Sequence, residues 1–144
     1  MSGAVSGTWR DGWFVVPHQV VLSDLDAFGH VNNAVFFRYL EWGRTLLWFA
    51  ATGAREPREI TFIVAHADCD YRRQLGVEPI EIATRIGEIR NSSFEFLAEI
   101  RKEGGEVAAT SKVVVVLFDW ARQSKMSIDE TLRRKLTECS RAAS

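Results

Sequence analysis

The sequence predicts an α+β domain in which one antiparallel sheet, of about five strands, curls around a long central helix. A strand-like run comes first, one long segment with helical spacing of apolar residues follows, and four more strand-like runs and a short amphipathic segment complete the chain. The composition, with 47% hydrophobic and 26% charged residues over 144 positions, is that of an ordinary globular domain. We expect one domain at residues 13–144 after a loose, Gly- and Ser-rich lead-in at residues 1–12.

The first strand and the long helix have distinct patterns. Residues 13–22 are rich in β-branched and aromatic side chains, and Pro17 favours an edge or bulged position because it cannot donate to a ladder. Residues 34–51 predict a helix of about five turns that ends before Gly53. Large apolar side chains also lie off its main apolar face, so we expect the helix to be enclosed on most sides.

The second half of the chain predicts four strands and a closing helix. The strand-like runs are residues 60–71, 80–89, 94–103 and 107–120. Gly104-Gly105 suits a tight hairpin, and with the Asn91-Ser92 turn it predicts an antiparallel meander of the last three runs. Residues 127–139 predict an amphipathic helix, with Ser127 as N-cap and Glu130 completing a capping box.

Charge and cysteine content exclude several classes of function. With 18 Lys+Arg against 19 Asp+Glu, dispersed along the chain, the net charge of −1 favours neither nucleic acid nor an anionic membrane as a partner. No signal peptide is evident, and every apolar run is shorter than the roughly 20 residues that span a bilayer. Cys69, Cys139 and the three histidines match no metal-ligand spacing, so we expect no metal site and a cytoplasmic protein with reduced thiols.

Polar and reactive groups concentrate in residues 23–33, just before the long helix. The N-terminus of a helix exposes unpaired N–H groups and a partial positive charge, which can stabilise an oxyanion. Asp26, seven residues before Asn33, could reach over this end as nucleophile or general base. The backbone N–H of Asn33, with that of Asn32, would then polarise a carbonyl oxygen.

A purely structural interpretation of the same loop stays open. Asn32 or Asn33 could be a plain N-cap, and Asp24 or Asp26 could form an Asx turn. A single imidazole such as His30 is more often a hydrogen-bond partner than an acid or base.

Residues 24–34, DLDAFGHVNNA, closely resemble the D-x-D-x-x-G-H-V-N-N-A signature of the 4-hydroxybenzoyl-CoA thioesterase-like group of hotdog-fold proteins. The run Tyr71-Arg72-Arg73-Gln74-Leu75 resembles the Y-x-R-P-L region of that group, and the likeness covers roughly residues 13–136. The resemblance implies a hotdog domain that hydrolyses acyl-CoA thioesters without metal or cofactor. It also implies a homodimer, often a dimer of dimers, with two active sites at the subunit interface.

The resemblance assigns roles within the loop. Asp26 matches the catalytic carboxylate, Asn33 matches the amide that polarises the thioester carbonyl, and Asp24 becomes a turn or support residue. The loop and residues 71–74 also resemble plant acyl-ACP thioesterases. Phe28 and Gln74 stand where that family has a catalytic Asn and Glu, so its full polar network is not copied here. His30 is retained and could orient Asp26 or the attacking water.

The substrate side is less specific. Phe28, Asn32, Arg72, Arg73 and Gln74 are the candidate substrate-binding residues, the arginines because coenzyme A carries phosphates. Arg90 is a further candidate for phosphate, and Phe36, Phe37, Trp42 and Trp48 are further candidates for an acyl pocket. Three alternatives stay open: hydrolysis of carrier-protein-bound chains, a hotdog that binds acyl-CoA without cleaving it, and, less favoured because residues 34–51 contain no His, a dehydratase.

Overall fold

The computed structural model describes residues 7–139, which form eight strands and two α-helices. The helices are α1 (Asn33–Thr52) and α2 (Glu130–Cys139). The strands are β1 (Thr8–Arg10), β2 (Trp13–Gln19), β3 (Phe62–Ala67), β4 (Asp70–Tyr71), β5 (Pro79–Ile89), β6 (Ser93–Lys102), β7 (Val107–Asp119) and β8 (Ser124–Lys125). No helix within the described residues is long and apolar enough to cross a membrane.

The strands pair in the order β1-β2-β5-β6-β7-β3, and the short strands β4 and β8 both pair with β7. Every pairing is antiparallel, so the predicted meander of β5, β6 and β7 is confirmed. Gly104 and Gly105 adopt φ angles of 94° and 98°, which the β6–β7 hairpin requires and which glycine tolerates best. The α+β architecture is therefore confirmed, and β3 lies at one end of the sheet.

The sheet has more strands than the expected five for identifiable reasons. β1 forms inside the segment expected to be a loose lead-in, of which residues 1–6 lie outside the described part. The run at residues 60–71 is divided into β3 and β4, and β8 was not predicted. β2 was expected at the edge of the sheet but lies between β1 and β5. β1 pairs only with residues 13–15 of β2, so within residues 7–139 the rest of that side of β2 has no neighbouring strand. Pro17 lies beyond that overlap and pairs with Glu81 of β5.

Helix α2 begins later than predicted. Its N-terminal contact is the Asp129 carboxylate, whose Oδ1 accepts a hydrogen bond from the Leu132 N–H at 2.8 Å. The Ser127 capping box is therefore wrong. The reason is tertiary, because Ile128 is buried and its N–H donates to the Asn91 carbonyl at 2.8 Å, which holds this segment against the β5–β6 turn.

Helix α1 packs closely on the sheet through one face only. A Cβ added at Gly43 would lie 2.6 Å from a methyl carbon of Ile82 on β5, so the close approach requires glycine. The opposite face leaves Phe37 and Trp42 37% and 38% exposed. The expectation that α1 is enclosed on most sides is therefore wrong for the single chain, in which the sheet covers one face of the helix and α2 packs only near its C-terminal end.

Candidate active site

Asp24 anchors the loop that precedes α1. Its carboxylate is buried and its Oδ2 accepts hydrogen bonds from the Tyr39 hydroxyl at 2.7 Å and from the Val21 N–H at 3.2 Å. Its main-chain carbonyl accepts from the Asn32 N–H at 3.1 Å. Asp24 therefore fastens the loop to α1, which fits the support role that the family resemblance implied for it.

Asp26 forms the tight turn that follows. Its Oδ1 accepts from the Phe28 N–H at 2.8 Å and from the His30 N–H at 3.4 Å, and its own N–H donates to the His30 carbonyl at 2.8 Å. Asp26 is thus an Asx-turn former, as the structural interpretation expected, but only one carboxylate oxygen is used. Within residues 7–139 the other oxygen accepts no hydrogen bond, and it is available to a ligand.

The start of α1 separates the two asparagines. Asn32 is the N-cap, and its side-chain oxygen accepts from the Ala34 N–H at 2.8 Å. Asn33 is the first helical residue, and none of the described residues accepts a hydrogen bond from its N–H. The free donor at the positive end of α1 is therefore the Asn33 amide.

The opposite wall is the segment that follows β4. The Arg72 and Arg73 N–H groups both donate to the Ala108 carbonyl on β7, at 2.8 and 3.0 Å. The Arg73 guanidinium is bound to the Glu106 carboxylate at 2.6 Å, whereas no carboxylate of residues 7–139 pairs with Arg72. Arg72 is therefore the uncompensated cation on this wall.

Two hydrogen bonds connect the walls. The Tyr71 hydroxyl donates to the Asn33 carbonyl at 2.8 Å, and the Val31 N–H donates to the Leu75 carbonyl at 2.8 Å. The Tyr71 ring also meets the Phe36 ring edge-on at 4.9 Å between centroids. Burial raises the pKa of Tyr71, so its hydroxyl keeps its proton and remains a donor at neutral pH.

Between the walls lies an open cavity of about 480 Å³. Seven of the eight sequence-predicted site residues line it, together with Val31, Phe36 and Tyr71; the seven are Asp26, Phe28, His30, Asn33, Arg72, Arg73 and Gln74. The cavity therefore brings one carboxylate, one unpaired helix-terminal N–H and one uncompensated arginine to the same space. Such a set can activate water or attack a carbonyl carbon while stabilising the oxyanion.

Several candidates lie elsewhere. Asn32 is the eighth predicted site residue, and it does not line the cavity because its side chain caps α1 and its N–H binds Asp24. Arg90, expected to meet phosphate, is bound to Glu88 and Glu95 at the far end of β5.

Of the aromatic candidates only Phe28 and Phe36 line this cavity. Trp48 is 2% exposed and stacks on Phe94 in the core, whereas Phe37 and Trp42 lie on the exposed face of α1. The spacing of the aromatic residues along α1 did not show which of them face the cavity, the core or the solvent. That depends on which face of the helix the sheet covers, and the tertiary structure decides it.

Tyr71 is the polar cavity residue that sequence reasoning did not place in the site, and Val31 is an apolar one. It belongs to the run Tyr71-Arg72-Arg73-Gln74-Leu75, so its position in that motif was the available signal. His30 also differs from expectation in one respect, since its backbone N–H, rather than its imidazole, contacts Asp26. Among residues 7–139, no group of three His, Cys, Asp or Glu side chains is arranged to hold a metal ion.

The chain is similar in sequence and structure to known thioesterases. The chain is 25% identical over 124 residues to the long-chain acyl-CoA thioesterase FadM of Escherichia coli strain K12, covering 79% of this chain and 89% of FadM. A thioesterase of Thermus thermophilus, solved with coenzyme A and Zn, is 27% identical with a TM-score of 0.78, over 90% of this chain and 94% of its own.

A predicted thioesterase from Bacillus stearothermophilus is 25% identical with a TM-score of 0.81, covering 88% of this chain and 95% of its own. These similarities confirm the hotdog fold that the loop motif implied. The family model of the thioesterase-like superfamily matches residues 20–136, which include both walls of the cavity. This chain therefore belongs to the thioesterase-like superfamily.

Proposed function

We propose that the protein is a thioesterase that hydrolyses an acyl- or aroyl-CoA to the free acid and coenzyme A. The observation that carries the proposal is the meeting of the Asp26 carboxylate and the unpaired Asn33 N–H in one cavity. An acyl-thioester carbonyl placed there would have an oxyanion donor and a base or nucleophile within one site. The similarity to FadM and to a thioesterase solved with coenzyme A supports this substrate class.

In the proposed reaction the thioester carbonyl oxygen accepts the Asn33 N–H hydrogen bond, and the dipole of α1 favours the negative charge that develops there. Asp26 either takes a proton from the attacking water or attacks the carbonyl carbon to form an anhydride that water then hydrolyses. In both routes the carbon–sulfur bond breaks and the coenzyme A thiolate leaves. No cofactor or metal takes part in the proposed reaction.

We propose different tasks for the two arginines. Arg72 is free to bind a phosphate or pantetheine oxygen of the substrate, while Arg73 is held by Glu106 and shapes the wall. Phe28, which is 85% exposed at the loop tip, would cover the acyl chain or the pantetheine arm once substrate is bound. His30 and Gln74 complete the polar lining.

We further propose that the active form is a homodimer, or a dimer of dimers, in the cytoplasm. β3 ends the sheet, and five of its six residues are exposed without a lysine or proline to discourage pairing. A second copy that adds its own β3 would continue the sheet and cover the exposed face of α1.

Free-thiol release from a panel of acyl-CoAs, from short to long chains and including aroyl groups, tests the proposed activity. We expect turnover of at least one class. Faster release of the same acyl group from a carrier protein would favour the carrier-protein alternative. Tight binding of acyl-CoA with no thiol release across the panel would refute hydrolysis and favour a binding protein.

A further inference from the structure

Phe36 is the buried aromatic residue of the candidate active-site cavity. Its side chain lines the cavity and is only 3% exposed. Phe28, the other phenylalanine of the lining, is exposed at the tip of the loop that precedes α1. Phe36 therefore closes the cavity toward the protein interior, whereas Phe28 lies on its open side.

The position of Phe36 on α1 indicates which part of a substrate it would meet. Phe36 follows Asn33 by three residues, so the two lie on the same face of the helix, about 4.5 Å apart along its axis. A thioester carbonyl bound to the Asn33 N–H has its acyl group on one side and coenzyme A on the other. The phosphates of coenzyme A suit the exposed, cationic wall at Arg72, which directs the apolar acyl group toward Phe36.

Two aromatic neighbours hold the Phe36 ring in place. Its centroid lies 4.9 Å from that of the Tyr71 ring, edge-on, and 6.3 Å from that of the Tyr39 ring. Both tyrosines are themselves fixed by hydrogen bonds that their hydroxyl groups donate, at 2.8 and 2.7 Å. Displacing the Phe36 ring would disturb both ring contacts, so we expect it to stay in place when a substrate binds.

The apolar cluster around Phe36 contains small side chains from the sheet. It includes three buried alanines of β6 and β7, namely Ala98, Ala108 and Ala109. Tyr71 pairs with Ala109, which places the aromatic contact of Phe36 beside these alanines. A methyl group cannot extend into the space that the Phe36 ring occupies. Removing the ring would therefore leave a space that joins the cavity, and the alanines could not refill it.

We propose that Phe36 closes the inner end of the acyl site and sets the longest acyl chain that the protein accepts. This inference rests on the thioesterase activity proposed above and names the residue that determines its chain-length specificity. An acyl chain that extends from the Asn33 N–H along α1 meets the Phe36 ring. A longer chain must displace this ring or leave part of its apolar surface in water, and both are unfavourable.

Chain-length profiles test this role. Free-thiol release from saturated acyl-CoAs, from short to long chains, gives kcat/KM for wild type, Phe36→Ala and Leu40→Ala. The measured ratio compares the substrate two carbons longer than the wild-type optimum with the optimum itself. Burying one more methylene favours binding about fourfold, so Phe36→Ala should raise this ratio about tenfold over wild type.

Leu40→Ala is the matched control for loosening of the core. Leu40 is buried in the same apolar cluster, about one turn further along α1, but it does not line the cavity. Its truncation should lower the melting temperature and leave the ratio at the wild-type value.

The outcomes separate this inference from the proposed activity. If wild type releases no thiol from any acyl-CoA, both fail. If wild type is active but accepts all longer chains equally well, or if Phe36→Ala keeps the wild-type profile, the role of Phe36 alone is refuted. An equal shift in Leu40→Ala would refute it too. If circular dichroism shows that Phe36→Ala does not fold, Phe36→Leu replaces it. We then expect a smaller shift in the same direction, and an unchanged profile would refute the role.

Discussion

Replacing Asp26 by Asn removes the charge from the proposed catalytic carboxylate while preserving the turn that it forms. The amide oxygen can still accept from the Phe28 and His30 N–H groups, which lie 2.8 and 3.4 Å from Oδ1. We therefore expect the free energy of unfolding to change by less than about 1 kcal/mol. An amide is neither a base nor a nucleophile, so kcat should fall about 10²- to 10⁴-fold, which corresponds to about 3 to 5 kcal/mol of activation free energy.

Asp24→Asn is the matched control, because it makes the same change two residues away in a carboxylate that only supports the loop. Its amide oxygen can still accept from Tyr39 and Val21, and we expect a stability loss of about 1 kcal/mol with kcat within about threefold of wild type. Thiol release with the best acyl-CoA of the panel and thermal melting give both quantities. Near-wild-type kcat for Asp26→Asn, or an equal loss in both variants at unchanged melting temperature, would refute the assignment of Asp26.

Three further predictions concern the substrate wall, the link between the walls and the helix contact. Arg72→Ala should raise KM for acyl-CoA about tenfold, because the Arg72 guanidinium is free to bind substrate. Arg73→Ala should raise KM much less, because Arg73 is already paired with Glu106. Equal effects of the two variants in steady-state kinetics would contradict this distinction. Tyr71→Phe removes the hydrogen bond to the Asn33 carbonyl, so it should lower kcat about tenfold and leave KM and the melting temperature nearly unchanged. Tyr39→Phe loses a buried hydrogen bond outside the cavity, so it should lower the melting temperature and leave kcat unchanged. Gly43→Ala should cost about 1 to 3 kcal/mol in chemical denaturation, since its methyl would lie 2.6 Å from a side-chain carbon; unchanged stability would mean that α1 can move away from the sheet.

The sequence pattern predicted an element correctly where the interactions that form it join residues close together in the chain. The long helix was predicted at residues 34–51 and lies at Asn33–Thr52, because its cap and its terminating glycine are both encoded next to it. The meander followed from strand-like runs separated by tight turns. The loop motif at residues 24–34 brought the candidate acid and the helix start together for the same reason, since both belong to one continuous segment.

Other features depend on contacts between distant segments, which periodicity does not encode. The Ser127 capping box was wrong because Ile128 binds the β5–β6 turn and delays the helix to Glu130. Arg72 and Arg90 could not be told apart by sequence, since their different roles follow from whether a carboxylate from another strand reaches the guanidinium.

The sequence by itself determined the order of the elements, the α+β class and the loop that carries Asp26 and Asn33, because backbone preference, capping and turn chemistry act over a few residues. Only the tertiary structure decided which asparagine keeps a free N–H, that Tyr71 connects the two walls, and that Arg73 rather than Arg72 is paired with a carboxylate. These properties depend on how the sheet brings residues far apart in the chain within hydrogen-bonding distance, and on how much of α1 one sheet can cover.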